Sequence, residues 1–507
     1  MYITTTIPYV NARPHLGFAL EIVQGDVLAR HHRRRGEPVR FQTGTDDNSL
    51  KNVLAAEAEG VPVRELVDRN AAAFEGLREP LDLSFDAFVR TSAHPGHRAG
   101  VERIWQAIGH DLYRRHYEGL YCVGCEQFYP EGPCPEGHRT PLQRVSEENW
   151  VFRLSRYQGP LLELIRSGRL TIEPAARRNE VLAFIETGLD DISISRSAAR
   201  SRGWGIPVPG DPSQVIYVWW DALANYITAL DGDGYERWWV REPRKIHLMG
   251  KGVIRFHAVT WPAMLLSAGL PLPTGIFVHD YLTAAGHKIS KSSGAVVDPV
   301  ALVRAYGVDA VRWWLLREVP RVGDADFTEE RLIARADEDL ANGVGNLVNR
   351  VVTMVHRFHG GLVPDVPPER IDACERAPEL VHEALEAFDF RRAAGAVWAI
   401  VEEANKYVET AQPWRQSPAD REVSLATLVH ACRALAVQLA PFLPTAAARV
   451  AAAVGDTAGD TAGDTAGDTA GDTAGDTAGD TVGEAAEGAV GEVRLPRPEP
   501  LFARLGG

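Results

Sequence analysis

Strand-to-helix transitions far apart in the sequence constrain this chain most. Tyr2 to Ile7 is rich in Thr and Ile and reads as a strand, Pro8 to Pro14 as a turn-rich loop, and Leu16, Leu20, Val23 and Val27 follow a helical period. Val39 to Gln42 reads as a second strand, with the acidic loop Thr45-Asp46-Asp47-Asn48 at its carboxyl end. Strand character returns only at Ile216-Tyr217-Val218-Trp219 and at Lys245-Ile246-His247-Leu248-Met249, each followed by a helical stretch. Alternation of this kind builds an α/β sheet. Its two parts, however, are separated by an irregular stretch from about 116 to 214 with scattered Gly and Pro, so the sheet is interrupted by an insertion and completed later. Sheets of this class hold ligands outside the carboxyl ends of their strands. His15, Gly17 and the acidic loop fall there.

From about 328 to 453 helical periodicity dominates and predicts a separate bundle. Residues 455 to 482 are six copies of Gly-Asp-Thr-Ala and one of Gly-Asp-Thr-Val, which cannot build an apolar face and read as a disordered, self-repelling spacer. The net charge of −14 owes ten acids to residues 455 to 492, which hold no Lys or Arg, and falls to −4 without them. Global acidity therefore does not exclude an anionic partner such as nucleic acid. The terminal Leu495-Pro496-Arg497-Pro498-Glu499-Pro500-Leu501-Phe502 turns apolar again and is expected to pack back on the body.

The N-terminus has neither a basic nor an apolar leader, and no long apolar run occurs, so the reading is a cytoplasmic protein without a membrane span. Cys122, Cys125 and Cys134 fall within thirteen residues, the spacing of a metal knuckle and not of a disulfide framework. Cys374 and Cys432, alone in helical sequence, read as core residues. Lysine is scarce, with six among 54 basic residues, and two of the six lie in Lys288-Ile289-Ser290-Lys291-Ser292-Ser293-Gly294. Point charges on a Ser/Gly-rich loop suit a transferring polyphosphate; the alternative is a solvated loop. Pro14-His15-Leu16-Gly17 at a helix start offers an anion site; the alternative is a cap or a surface group.

Together the His-x-Gly helix start and the distant Lys-x-Ser-Lys-Ser loop resemble the ATP signatures of class I aminoacyl-tRNA synthetases, and further segments resemble the methionyl-tRNA synthetase family. These are Pro8-Tyr9-Val10-Asn11, Thr43-Gly44-Thr45-Asp46, Trp204 to Pro209, Tyr217 to Leu223, Gly250-Lys251, Arg255-Phe256-His257-Ala258 and Lys288 to Ser292, spread over roughly residues 1 to 450. The resemblance implies a Rossmann-type doubly wound parallel sheet, with first half 1–115 and second half 215–275, split by a connective insertion at 116–214. A stem-contact segment at 276–327, an α-helical anticodon-binding domain at 328–453, the acidic repeat at 454–492 and a docking segment at 493–507 complete the expected order.

It also implies an activity: methionine is activated by Mg²⁺-bound ATP to methionyl-adenylate and transferred to the 3′ end of tRNA(Met) by a monomeric enzyme. The catalytic residues would be His15, Lys288 and Lys291, with Gly17, Ser290 and Ser292 also at ATP. Asp46 would take the substrate ammonium. Ile7, Tyr9, Trp219, Ala222, Leu223, Tyr226, Phe256 and His257 would form the methionine pocket. Cys122, Cys125, Cys134 and His138 would hold a structural Zn²⁺, the last at Cys-x3-His spacing where Cys-x2-Cys or Cys-x2-His is usual. Trp414 in Ala411-Gln412-Pro413-Trp414 would stack on an anticodon base; a core Trp is the alternative. The basic run Arg33-Arg34-Arg35 reads as a solvated helix end.

Departures cluster on the ATP side. Phe18 stands where the helix start normally has a second His, Gly252 where Gly-Lys-Asp has its Asp, Asp47-Asn48-Ser49 where Glu-His-Gly is usual, and Ala295 where Asn is usual. They leave open a tRNA-independent ligase working through methionyl-adenylate and a catalytically impaired paralogue that binds tRNA or methionine.

Overall fold

The structure is a computed structural model that describes residues 1–122, 127–129, 134, 142–284, 286–288, 297–456 and 493–506. The chain forms two compact units, Met1–Leu332 with Ala384–Arg391, and Ile333–Glu383 with Arg392–Gly507. The Gly-Asp-Thr-Ala repeat lies outside the described residues beyond Asp456.

The first unit is organised by a six-stranded sheet of β1 (Tyr2–Thr5), β2 (Arg40–Thr45), β3 (Ala87–Arg90), β4 (Thr171–Glu173), β5 (Lys245–Gly250) and β6 (Gly275–His279). The order is β3-β2-β1-β5-β6-β4, and every pairing is parallel. Strand order reverses between β1 and β5, where Tyr2 to Thr5 run beside Lys245 to Leu248. All four residues of β1 are buried, as a strand covered on both faces requires. Its two threonines are satisfied sideways: Thr5 Oγ1 lies 2.7 Å from Thr43 Oγ1, and Thr4 Oγ1 2.5 Å from His247 Nδ1. In β2, Gly44 permits a close approach, because a Cβ there would lie 2.1 Å from the Val89 carbonyl oxygen.

The long helix α1 (Leu16–Arg34) follows β1. Its Asp26, wholly buried, receives Arg312 Nη2 at 2.8 Å, Arg30 Nε at 2.9 Å and the Ser84 hydroxyl at 2.7 Å. Burial opposes the charge, yet the Arg312 and Arg30 guanidiniums prevail and hold the carboxyl below its usual range. Arg33 at the helix end is tied to Ser84 and Asp86, while Arg34 and Arg35 are exposed.

The stretch between 116 and 214 contributes β4 to the sheet edge and builds two antiparallel sheets of its own. One joins Leu112–Cys122, Gln127–Tyr129, Gln143–Phe152 and Ile192–Ser193, and the other Ser195–Ser197, Pro207–Val208 and Asp211–Ile216. The strand expected over Ile216 to Trp219 is corrected here. Strand ends at Ile216, in the small antiparallel sheet and not in the parallel one, and Val218–Leu223 is helical. A short, wholly apolar run carries no periodicity to separate the two states.

The second unit is helical, with Asn346–His359, Asp372–Glu386, Phe390–Ala411, Pro418–Leu439 and Pro444–Ala453 as its main elements. Cys374 and Cys432 are buried in it, and burial pushes their thiols up to about 11 and about 12. The C-terminal segment docks on the same unit. Val363 N–H donates to the Val493 carbonyl, Leu495 N–H to the Gly361 carbonyl, Leu495 is buried, and Arg449 lies 4.9 Å over the Phe502 ring. Among the described residues no helix is long and apolar enough to cross a membrane.

Arg312→Ala would strand the buried Asp26 carboxylate and is expected to cost about 3–5 kcal/mol, measured by urea unfolding; a loss below about 1 kcal/mol would show that Arg30 and Ser84 suffice.

Candidate active site

The reversal between β1 and β5 opens a crevice outside the strands' carboxyl ends. The first wall is the start of α1. His15 is its N-cap, and its ring Nδ1 accepts from the Gly17 backbone N–H at 3.1 Å, which leaves the proton of the neutral ring on Nε2. The glycine is needed for this fold-over, because a Cβ at Gly17 would lie 3.0 Å from His15 Cε1 and 3.1 Å from Nδ1. His15 is thus a cap by one nitrogen, with its ring proton on the other. Phe18, one residue further, is buried and meets the Phe74 ring edge-on at 5.1 Å, so its side chain belongs to the core.

The lysine-bearing segment is described only at its flanks. His287–Lys288 pairs antiparallel with Leu282–Ala284, with Thr283 opposite Lys288. At the other flank the Val297 carbonyl accepts from Leu16 N–H, in the first turn of α1, at 2.9 Å. Ser290, Lys291 and Ser292 lie outside the described residues, and of Lys288 only the backbone is described.

The second wall comes from the ends of β1 and β2. Asp46 N–H donates to the Pro8 carbonyl at 2.9 Å, Tyr9 and Asp46 form an isolated parallel bridge, and Asn70 Nδ2 holds the Val10 carbonyl at 2.7 Å. Asp46 is buried, and its Oδ1 accepts from Asn48 N–H at 3.1 Å. Its neighbour Asp47 is pushed up by burial, against donors from Ser92, Arg90 and Thr45.

The aromatic slot lies beside it. Trp219 and Phe256 stack at 4.1 Å with planes 5° apart, and Tyr9 meets Trp219 at 5.9 Å. All three rings are half-buried, while Ile7, Ala222, Leu223, Tyr226 and His257 are buried. His257 Nδ1 donates to the Val253 carbonyl at 3.0 Å, so Nε2 accepts from the Tyr226 hydroxyl at 2.8 Å. Burial brings the His257 imidazole down to about 4, and it stays neutral at physiological pH.

Other members were not named as site residues from the sequence. Glu21 sits among the apolar residues of α1, yet its carboxylate accepts from Thr6 N–H at 2.6 Å, the Thr6 hydroxyl at 2.5 Å and Gly250 N–H at 3.1 Å, and lies 3.0 Å from His279 Nε2. Lys51 Nζ lies 4.8 Å over the Tyr9 ring. Asp221, wholly buried and raised by that burial, accepts from Asn48 Nδ2 at 3.2 Å and faces His97 Nε2 at 3.7 Å. An acid inside an otherwise apolar helical run was the one available clue to Glu21.

Of the proposed metal ligands, Cys122 and Cys134 are buried, and Cys125 and His138 lie outside the described residues. Trp414, in the turn Pro413–Arg415 of the helical unit, is 44% exposed, which removes the core reading.

His257 binds a proton more readily unfolded, at about 6.5, than folded, at about 4. Its contribution to stability is therefore complete above pH 6.5 and is lost as pH falls towards 4, by about 3 kcal/mol in all. Urea unfolding of His257→Gln across this range should show a shallower acid decline than the natural chain; identical slopes would refute the assignment.

The arrangement has close counterparts. The family model described as tRNA synthetases class I (M) matches residues 1–144 and 139–352, and the anticodon binding domain of methionyl tRNA ligase matches residues 368–475. Methionine–tRNA ligase of Brucella suis is 40% identical over 471 residues, covering 89% of this chain and 90% of that one. The Mycobacterium tuberculosis ligase is 41% identical over 478 residues, covering 89% and 91%. The structure of M. tuberculosis methionyl-tRNA synthetase in complex with methionyl-adenylate superimposes with a TM-score of 0.86 at 37% identity, covering 99% of each chain. The chain therefore belongs to the methionyl-tRNA synthetase family of class I aminoacyl-tRNA synthetases, and its activity is that of a methionine–tRNA ligase.

Proposed function

We propose that activation takes place in the β1/β5 crevice, with ATP phosphates at the start of α1 and the methionine side chain in the slot of Tyr9, Trp219 and Phe256. The observation that carries this is the meeting, at one set of strand ends, of a histidine-capped helix start, a buried carboxylate and an aromatic slot. Asp46 takes the substrate ammonium and so orients its carboxylate. That carboxylate oxygen attacks the α-phosphorus of ATP, the bond to the β-phosphate breaks, and methionyl-adenylate and pyrophosphate result.

Charge accumulates on the phosphates during this exchange, and fixed donors count most there. His15 Nε2–H and the backbone N–H groups at the start of α1 supply them, while Lys288 and Lys291, aided by Ser290, Ser292 and the ATP-borne Mg²⁺, hold the departing pyrophosphate. The Tyr226–His257 pair, neutral and fully hydrogen-bonded, closes the pocket floor without presenting a charge to the thioether. Transfer to the terminal adenosine of tRNA(Met) completes the reaction in a monomer, with Trp414 stacking on an anticodon base.

Cys122 and Cys134, buried thiols on the inserted segment, fit a structural Zn²⁺ completed by Cys125 and His138. Metal analysis of the purified chain should find one zinc, and a metal-free, fully folded chain would remove this assignment.

Methionine-dependent exchange of pyrophosphate into ATP should proceed without tRNA and fall about 10²–10³-fold in His15→Ala; undiminished exchange would refute its role. Trp414→Ala should leave that exchange intact and lower aminoacylation kcat/KM by about 5- to 100-fold, as loss of one stacked base predicts. Equal losses in both assays would point to misfolding instead.

A further inference from the structure

Gly252 lies in the turn Lys251–Val253 that follows β5, and Tyr281 follows β6, the neighbouring strand, so both stand at carboxyl ends of adjacent strands beside the crevice. They occupy one space. A Cβ on Gly252 would lie 2.3 Å from the Tyr281 hydroxyl oxygen and 3.5 Å from Cζ, whereas an ordinary carbon contact needs well over 3 Å. Residue 252 can therefore carry a side chain only if the Tyr281 hydroxyl moves away.

The charges around this pair are engaged with one another. Lys251 Nζ lies 2.6 Å from Asp324 Oδ1, 3.4 Å from Asp280 Oδ1 and 4.6 Å over the Tyr281 ring. Arg177 also pairs with the buried Asp280, whose Oδ2 accepts from Gly323 N–H at 2.7 Å. With Glu180, which also pairs with Arg177, these two cations meet three carboxylates, and neither is left over for a phosphate. The opposite wall, the start of α1, is the positive end of a helix dipole. A nucleotide spanning the crevice would put its phosphates at α1 and its neutral, hydroxyl-bearing sugar at the β5–β6 wall, where a phenol can donate to or accept from a hydroxyl.

We propose that the Tyr281 hydroxyl, admitted by Gly252, is the hydrogen-bond partner of the ATP ribose on this wall. The inference rests on the crevice being the ATP site. Glycine at 252 is on this view part of a working pair, and a side chain restored there displaces the group that replaced it.

The test compares ATP with 2′-deoxy-ATP and 3′-deoxy-ATP in methionine-dependent pyrophosphate exchange and in equilibrium binding without turnover. The natural chain should favour ATP over at least one deoxy analogue by about five- to tenfold, the worth of one neutral hydrogen bond. Tyr281→Phe should erase that preference by raising KM for ATP, with KM for methionine and the thermal midpoint unchanged. Gly252→Ala should do the same, and the double variant should be no worse than either single one, since both remove one interaction. Ribose discrimination retained in Tyr281→Phe would overturn the proposal, as would full additivity. Binding that discriminates through Tyr281 in a chain without exchange would sink the activation mechanism and uphold Tyr281. Exchange without discrimination would do the reverse, and failure to bind ATP would sink both.

Discussion

The crevice depends on one buried carboxylate. Glu21 of α1 draws together the loop after β1, through Thr6, the end of β5, through Gly250, and the end of β6, through His279. These belong to the two halves of a sheet whose sequences are separated by the insertion, and nothing covalent keeps their ends in register. His279 meets it from the end of β6: its Nδ1 donates to the Asp280 carbonyl at 2.8 Å and its Nε2 lies 3.0 Å from Glu21. A buried polar group left without its partners is costly, so removing any of these contacts is severe. The value of Glu21 here is geometric, because its contacts set the spacing of the strand ends on either side of the crevice.

Departures from the family pattern become intelligible once their neighbours are seen. Phe18 lies against Phe74 within the core, and Gly252 makes way for Tyr281. Asn48 donates to the buried Asp221 and so covers one oxygen of a carboxylate that burial makes costly to ionise. Each change alters a polar group near the crevice, and each is matched by a contact from a distant segment. The aromatic slot is held by stacking of Trp219 on Phe256 and by the neutral Tyr226–His257 pair.

The parallel sheet and its interruption were legible because Tyr2–Thr5, Arg40–Thr45 and Lys245–Gly250 are apolar or threonine-rich runs bounded by turn and helix signals. The helical unit was legible from its periodicity. Val218 to Leu223 was not, since an apolar, aromatic run is compatible with either state until its partners are known. Nor was β4, three residues long and, among the described residues, paired with β6 at the sheet edge. At the site, His15, Gly17 and Asp46 could be named because they sit at strand-to-helix junctions, whereas Glu21, His279 and Tyr281 carry no local pattern.

By itself the sequence determined which residues could be strand, helix, cap or ligand, because periodicity, turn chemistry and the dipole at a helix start act within a few residues. Only the tertiary structure decided what those groups face. It drew Thr6, Gly250 and His279 to Glu21, moved Phe18 into the core and set Tyr281 over Gly252. These are contacts between segments remote along the chain, and their energies depend on burial and distance, which exist only after the sheet has closed.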